Sequence, residues 1–183
     1  MLSHPLVLLA AGALLSGILV PAFTRQWQNH AKELDVKADL VKQINASVLP
    51  VFDAYRQVET TYARESAVGA ADRAYVKWYE GRYAVSDNID AYFRNAKKLN
   101  AAWENFNSSL IGASILLTEP RYFRANWIAR KFPAHAAALR PLATCEIDCR
   151  DPRWSMAFAF LENLLHQRKL ELVHELLAAR SVL

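Results

Sequence analysis

Ser86 to Leu110 reads SDNIDAYFRNAKKLNAAWENFNSSL, and the spacing of its apolar residues decides the fold. Ile89, Phe93, Ala96, Leu99, Trp103, Phe106 and Leu110 recur at steps of three and four, with Tyr92 beside Phe93, which lines one face of a helix at 3.6 residues per turn. Ser86 in front of them reads as an N-cap, whose hydroxyl accepts from an otherwise unpaired backbone N–H of the first turn. This is the longest clean stripe in the chain, so it predicts the central helix of a helical bundle.

Working towards the N-terminus, Ser66 to Tyr83 carries Ala71, Ala74, Tyr75, Trp78 and Tyr79 on a second helical face, with Gly69 and Gly81 as punctuation near its ends. Phe52, Tyr55, Val58 and Tyr62 give another, which Pro50 is expected to interrupt or kink, since proline lacks the N–H that a helix interior uses. Before it, Trp27, Ala31, Leu34, Ala38, Val41, Ile44 and Val48 recur at steps of four and three. Val36 and Leu40 widen that stripe, which favours packing in a bundle over an isolated two-stranded coiled coil. Asn45 falls on the same stripe and reads as a part-exposed amide near a helix end.

Towards the C-terminus, Pro120 opens a shorter helix, EPRYFRANWIARKF. Pro133 and Pro141 are expected to break regularity through a loop holding Cys145 and Cys149. Asp151 and Pro152 then form a cap and first-position pair. Trp154, Phe158, Leu161, Leu165, Leu172 and Leu176 follow on one face of a last helix. No run alternates with the period of two that a β-strand needs, and only five glycines are present. The expectation is an all-α domain of four or more antiparallel helices spanning residues 25–183, with residues 1–24 set apart as an anchor.

That separation rests on Pro5 to Thr24, PLVLLAAGALLSGILVPAFT, 20 residues without an ionisable side chain. At about 1.5 Å per residue they reach roughly 30 Å, the hydrocarbon thickness of a bilayer, so the run reads as a single transmembrane helix in contact with membrane lipid through residues 5–24. The rival reading is a cleaved secretory signal ending near Val20-Pro21-Ala22, but MLSHP lacks the basic residue that opens such signals. Small residues one turn apart, Gly12 with Ser16 and Ala13 with Gly17, suit the close approach of another membrane helix. Arg25, Lys32, Lys37 and Lys42 follow the run, whereas no Lys or Arg precedes it. The positive-inside rule therefore sets the N-terminus outside and the domain on the cytoplasmic side of an inner or plasma membrane. The net charge of +4 and pI of 9.1 suit an anionic leaflet without requiring one.

Candidate chemistry is sparse. Glu171 and His174 have the spacing of two metal ligands one turn apart, and Glu162 and His166 share their helix. A carboxylate-bridged di-iron site, however, needs a second Glu-x-x-His and two further glutamates. The favoured reading is a solvated polar face with i,i+3 and i,i+4 pairs. Cys145 and Cys149 lack the partners of a zinc site and are either thiols or a local disulfide, according to compartment. Arg121, Arg124, Arg130 and Lys131 mingle with Tyr122, Phe123, Trp127, Ile128 and Phe132. The cations are spread around the helix, which favours a domain-packing role over a lipid or nucleic-acid surface. No phosphate loop, zinc-protease motif or nucleophile elbow occurs. Catalytic, cofactor-binding and metal residues are accordingly expected to be none, and nucleic acid is not expected as a partner. The function expected is that of a non-enzymatic, membrane-anchored accessory or scaffold subunit with a protein partner. One alternative is an extracytoplasmic bundle that senses a small molecule, its pocket built from the Tyr- and Trp-rich helix faces. The other is a metalloprotein or enzyme built on the last helix.

Overall fold

Good helix formers and a shortage of glycine give helices through most of the described chain. The structure, a computed structural model, describes residues 20–61, 65–118, 121–144 and 150–182. They form helices α1 (Val20–Thr60), α2 (Glu65–Phe93), α3 (Lys97–Thr118), α4 (Arg121–Lys131), α5 (Ala136–Thr144) and α6 (Pro152–Ala178), with a 3₁₀ turn at Pro133–His135 and no strand among them. The chain divides into two compact units, one running to Asp39 and the other comprising Leu40–Val182. No helix among the described residues is long and apolar enough to cross a membrane. Most of Pro5–Thr24 lies outside the described residues, as do Cys145 and Cys149.

Within the unit Leu40–Val182, α3 is the central helix, packing against α2, α4, α5 and α6. Leu99, Trp103, Phe106, Leu110, Ala113, Leu116 and Leu117 are buried along it. Opposite them α6 buries Trp154, Phe158, Leu161, Leu165, Leu172 and Leu176, the face its sequence predicts. The start of α6 is also as read: Asp151 accepts from the Arg153 N–H at 2.9 Å, and Pro152 occupies the first turn. Residues 40–60 of α1 bury Leu40, Ile44, Val48, Val51, Phe52, Tyr55 and Val58. Polar contacts fasten this segment at its rim: Arg56 Nη2 to Glu162 Oε1 at 2.7 Å, Ser155 Oγ to Glu59 at 3.2 Å, and Asn88 Nδ2 to Gln43 Oε1 at 3.4 Å.

The structure corrects several boundaries. Pro50 does not interrupt α1, which runs through it. Its missing N–H would have donated to the Ala46 carbonyl. Ala46 and Pro50 both face solvent, where water can satisfy that carbonyl, while Val48, Val51 and Phe52 hold the chain on the core. Ser86 is not an N-cap but an interior residue of α2, as is Gly81. The buried face of α2 runs Ala71, Trp78, Val85, Ile89, Phe93 straight past both. The break falls instead at Arg94–Ala96, where Ala96 N–H donates to the Phe93 carbonyl and Lys97 N–H to that of Asn95. Leu99, the next buried residue, is six positions on from Phe93, about 240° further round, so one straight helix could not bury both against one neighbour. Pro141 does not break the chain either: it lies inside α5, whose Leu139, Leu142 and Ala143 are buried. Its lost hydrogen bond falls on the exposed Ala137.

Candidate ligand cleft

Where α2, α3 and the end of α4 meet there is a cleft of ≈ 310 Å³, at the lower end of the range typical of small-molecule sites. Helix periodicity assembles it. Arg82, Tyr83 and Ser86 come from consecutive turns of α2, and Trp103, Glu104, Asn107, Ser108 and Ile111 from successive turns of α3. Lys131 closes it from the last turn of α4. Gly112 makes that closure possible. A Cβ there would stand 2.7 and 2.9 Å from the Phe132 ring and 3.2 Å from the Lys131 Cβ, so only glycine lets the end of α4 settle this close to α3.

Both cations of the cleft are held in place without being neutralised. The Arg82 guanidinium lies 3.9 Å from the Tyr79 ring centroid and 4.9 Å from that of Tyr83, and donates to the Tyr83 hydroxyl at 3.3 Å. That hydrogen bond, helped by Tyr79 and by the guanidinium charge, holds the Tyr83 phenol below its usual range. Lys131 Nζ donates to Ser108 Oγ at 3.2 Å. Neither forms a salt bridge with a carboxylate among the described residues, although Glu104 lies on the same wall. Asn107 is only 7% exposed, yet its Oδ1 is buried with no hydrogen-bond partner. An orphaned acceptor of this kind costs roughly 1–3 kcal/mol. Among the described residues two others occur, the Tyr55 hydroxyl and Asn100 Oδ1, neither at the cleft. For Tyr55, burial pushes the phenol far above its usual range; Ser114 acts weakly in the opposite sense without completing a hydrogen bond.

The residues singled out from sequence scatter elsewhere. Glu171 is engaged by Arg168 at 2.9 Å, and His174 projects outward, its Nδ1 3.7 Å from Glu175. Glu162 takes Arg56 as its principal partner and stands 3.8 Å from His166, whose ring meets Phe52 edge-on at 4.6 Å. Arg168 with Glu171 and Glu162 with His166 are i,i+3 and i,i+4 pairs of a polar face, whereas Arg56 reaches Glu162 from α1 and Glu175 is the residue next to His174. No group of three or more metal-binding side chains converges among the described residues. In α4, Ile128 is buried, as is Phe132 just beyond it. Arg124 donates to the Leu142 carbonyl at 3.2 Å, so this helix uses one cation to grip α5 and another, Lys131, at the cleft.

Of the cleft, sequence alone marks Trp103 as a core residue, Ser86 as a cap and Lys131 as one of a scattered set of cations. Arg82, Glu104 and Asn107 carried no signal, because each is an ordinary polar residue of an amphipathic helix. A second surface feature is legible in sequence and unexplained by packing: Trp27 is 75% and Leu34 51% exposed, and Ala31 and Ala38 between and beyond them are exposed too. No protein-family model, curated protein or solved structure matches the chain.

Proposed function

We propose that the chain is a single-pass membrane protein anchored through residues 5–24, whose antiparallel helical bundle acts as a non-enzymatic accessory or scaffold subunit at an inner or plasma membrane. The observation that carries this reading is the exposed stripe Trp27, Ala31, Leu34, Ala38 on α1, immediately after the proposed anchor. Isolated exposed apolar residues need no explanation, but four at alternating steps of four and three form the seam that knobs-into-holes packing requires. The partner is therefore a protein that presents a helix of its own along residues 27–38. Arg25, Lys32, Lys37 and Lys42 argue for the cytoplasmic side.

A photo-crosslinking residue placed at Leu34 in native membranes tests this reading. Capture of one dominant partner from Leu34 and none from Asn29, on the opposite side of α1, is expected, and Ala31→Lys should abolish the capture. Equal labelling from both positions, or none from Leu34, would remove the seam from the argument. The anchor is tested separately: carbonate washing should leave the chain in the membrane, and its quantitative release would show that residues 5–24 do not span. A second reading, a small-molecule sensor bundle outside the cytoplasm, is favoured by the cleft at Arg82, Asn107 and Lys131.

A further inference from the structure

We propose that the cleft between α2, α3 and α4 binds a small organic monocarboxylate carrying a hydrogen-bond donor, with Arg82 and Lys131 meeting the carboxylate and Asn107 the donor. The inference stands apart from the scaffold reading, because it concerns a different surface and holds on either side of the membrane. Three observations support it.

The first is charge. Arg82 and Lys131 oppose one acid, Glu104, so the wall carries one unbalanced positive charge. A monoanion completes that balance, whereas a doubly charged phosphate monoester would leave net negative charge beside Glu104. Donors are also available: Arg82 spends one hydrogen bond on Tyr83 and Lys131 one on Ser108, leaving a guanidinium edge and further ammonium protons for two carboxylate oxygens. The stacking of Arg82 on Tyr79 and Tyr83 fixes its plane before a ligand arrives, which reduces the ordering cost of binding.

The second is the orphaned Asn107 Oδ1 in the cleft wall. Buried acceptors are almost always satisfied, and a ligand hydroxyl or amide N–H reaching it as the side chain turns toward the cleft would satisfy this one. The third is the apolar side of the cleft, where Trp103 and Ile111 line the wall and give a ligand body apolar surface to meet. At ≈ 310 Å³, about twice the roughly 150 Å³ that accepts benzene, the cleft has room for one aromatic ring together with its carboxylate and donor.

The probe is 4-hydroxybenzoate, which carries a carboxylate, a ring and a hydroxyl, titrated by calorimetry into the full chain in detergent micelles. One-to-one binding with a dissociation constant of about 1 mM or tighter is expected. Phenyl phosphate and 4-hydroxybenzamide should each bind at least about tenfold more weakly, and Arg82→Gln and Lys131→Gln should each lose about tenfold. Ser86→Trp, which fills the cleft, should abolish binding while the circular-dichroism melt shows the bundle intact. No binding by the intact protein overturns the proposal. So does binding indifferent to Arg82→Gln, Lys131→Gln and Ser86→Trp alike, which would place the ligand elsewhere. Preference for phenyl phosphate or for the neutral amide overturns the assignment of a monocarboxylate.

Discussion

The two halves of α1 have similar sequence periodicity and opposite surroundings. Before Asp39 the stripe Trp27, Ala31, Leu34, Ala38 is exposed; after it, Leu40, Ile44, Val48, Val51, Phe52, Tyr55 and Val58 are buried. Val41, which continues the spacing of the first stripe, is only half-buried. Periodicity therefore identifies a helix and its apolar sides but not what covers them. A stripe that folding leaves uncovered is the part of a sequence whose explanation lies outside the chain.

The strongest way to break this contrast is to truncate one aromatic in each half. Phe52 is 4% exposed and meets His166 edge-on, so Phe52→Ala should destabilise the full chain by about 3–5 kcal/mol. Trp27→Ala should change stability by less than about 0.5 kcal/mol, although it removes the larger side chain. Chemical denaturation followed by circular dichroism checks both. Equal losses would mean that Trp27 is covered within the chain and that no partner is needed to explain it.

The same contrast marks how far sequence reading reaches. The faces of α3 and α6 were legible because burial there follows one unbroken phase: every residue of the stripe from Trp154 to Leu176 is buried. The start of α6 was legible because capping is local chemistry carried by Asp151 and Pro152. The α2–α3 boundary was not, since Tyr92, Phe93, Ala96 and Leu99 keep helical steps across Arg94–Ala96 while the packing direction changes beneath them. Pro50 and Pro141 misled for a related reason. Their cost depends on whether the carbonyl four residues back is wet, and exposure is a tertiary property. The cleft was the least legible part, because it depends on three helices converging and on Gly112, which looks in sequence like any other helical glycine.

Pro50 itself supplies the next test. If α1 is continuous because solvent satisfies Ala46, the proline is tolerated and still costs helix stability. Pro50→Ala restores a hydrogen bond and removes a clash worth about 3 kcal/mol, offset by about 0.4–1 kcal/mol through the freer unfolded chain. The expected net gain is roughly 2–3 kcal/mol, read as a higher denaturation midpoint. A loss would show that a bend at Pro50 is required to seat Phe52 and Tyr55.

Two glycines then repeat the comparison of covered with uncovered surface on a smaller scale. At Gly112 an added methyl meets the buried ring of Phe132 and the Cβ of Lys131. Overpacking costs about 1–3 kcal/mol, against a helix-propensity gain of about 0.5–1 kcal/mol. Gly112→Ala should thus destabilise by roughly 1–2 kcal/mol and, by displacing Lys131, weaken binding at the cleft more than Gly81→Ala does.

Gly81 is the uncovered counterpart. It lies in the interior of α2, exposed, and an added Cβ would have nothing within 4 Å. Only the backbone terms remain: alanine loses less conformational freedom on folding and shields the neighbouring backbone from water, together worth about 0.5–1 kcal/mol. Gly81→Ala should therefore raise the melting midpoint slightly and leave its neighbour Arg82 on the rings of Tyr79 and Tyr83. Apart from the near-neutral Trp27→Ala, this is the smallest of the expected effects and the sharpest in sign. The same substitution on consecutive helices is predicted to act in opposite directions for one reason, the presence of Phe132 over Gly112 and the absence of any such neighbour at Gly81. Stabilisation at both sites would mean that α4 does not press on α3, and the position of Lys131 in the cleft would fall with it. Destabilisation at both would mean that something outside the described chain covers this turn of α2, as is proposed for Trp27 and Leu34 on α1.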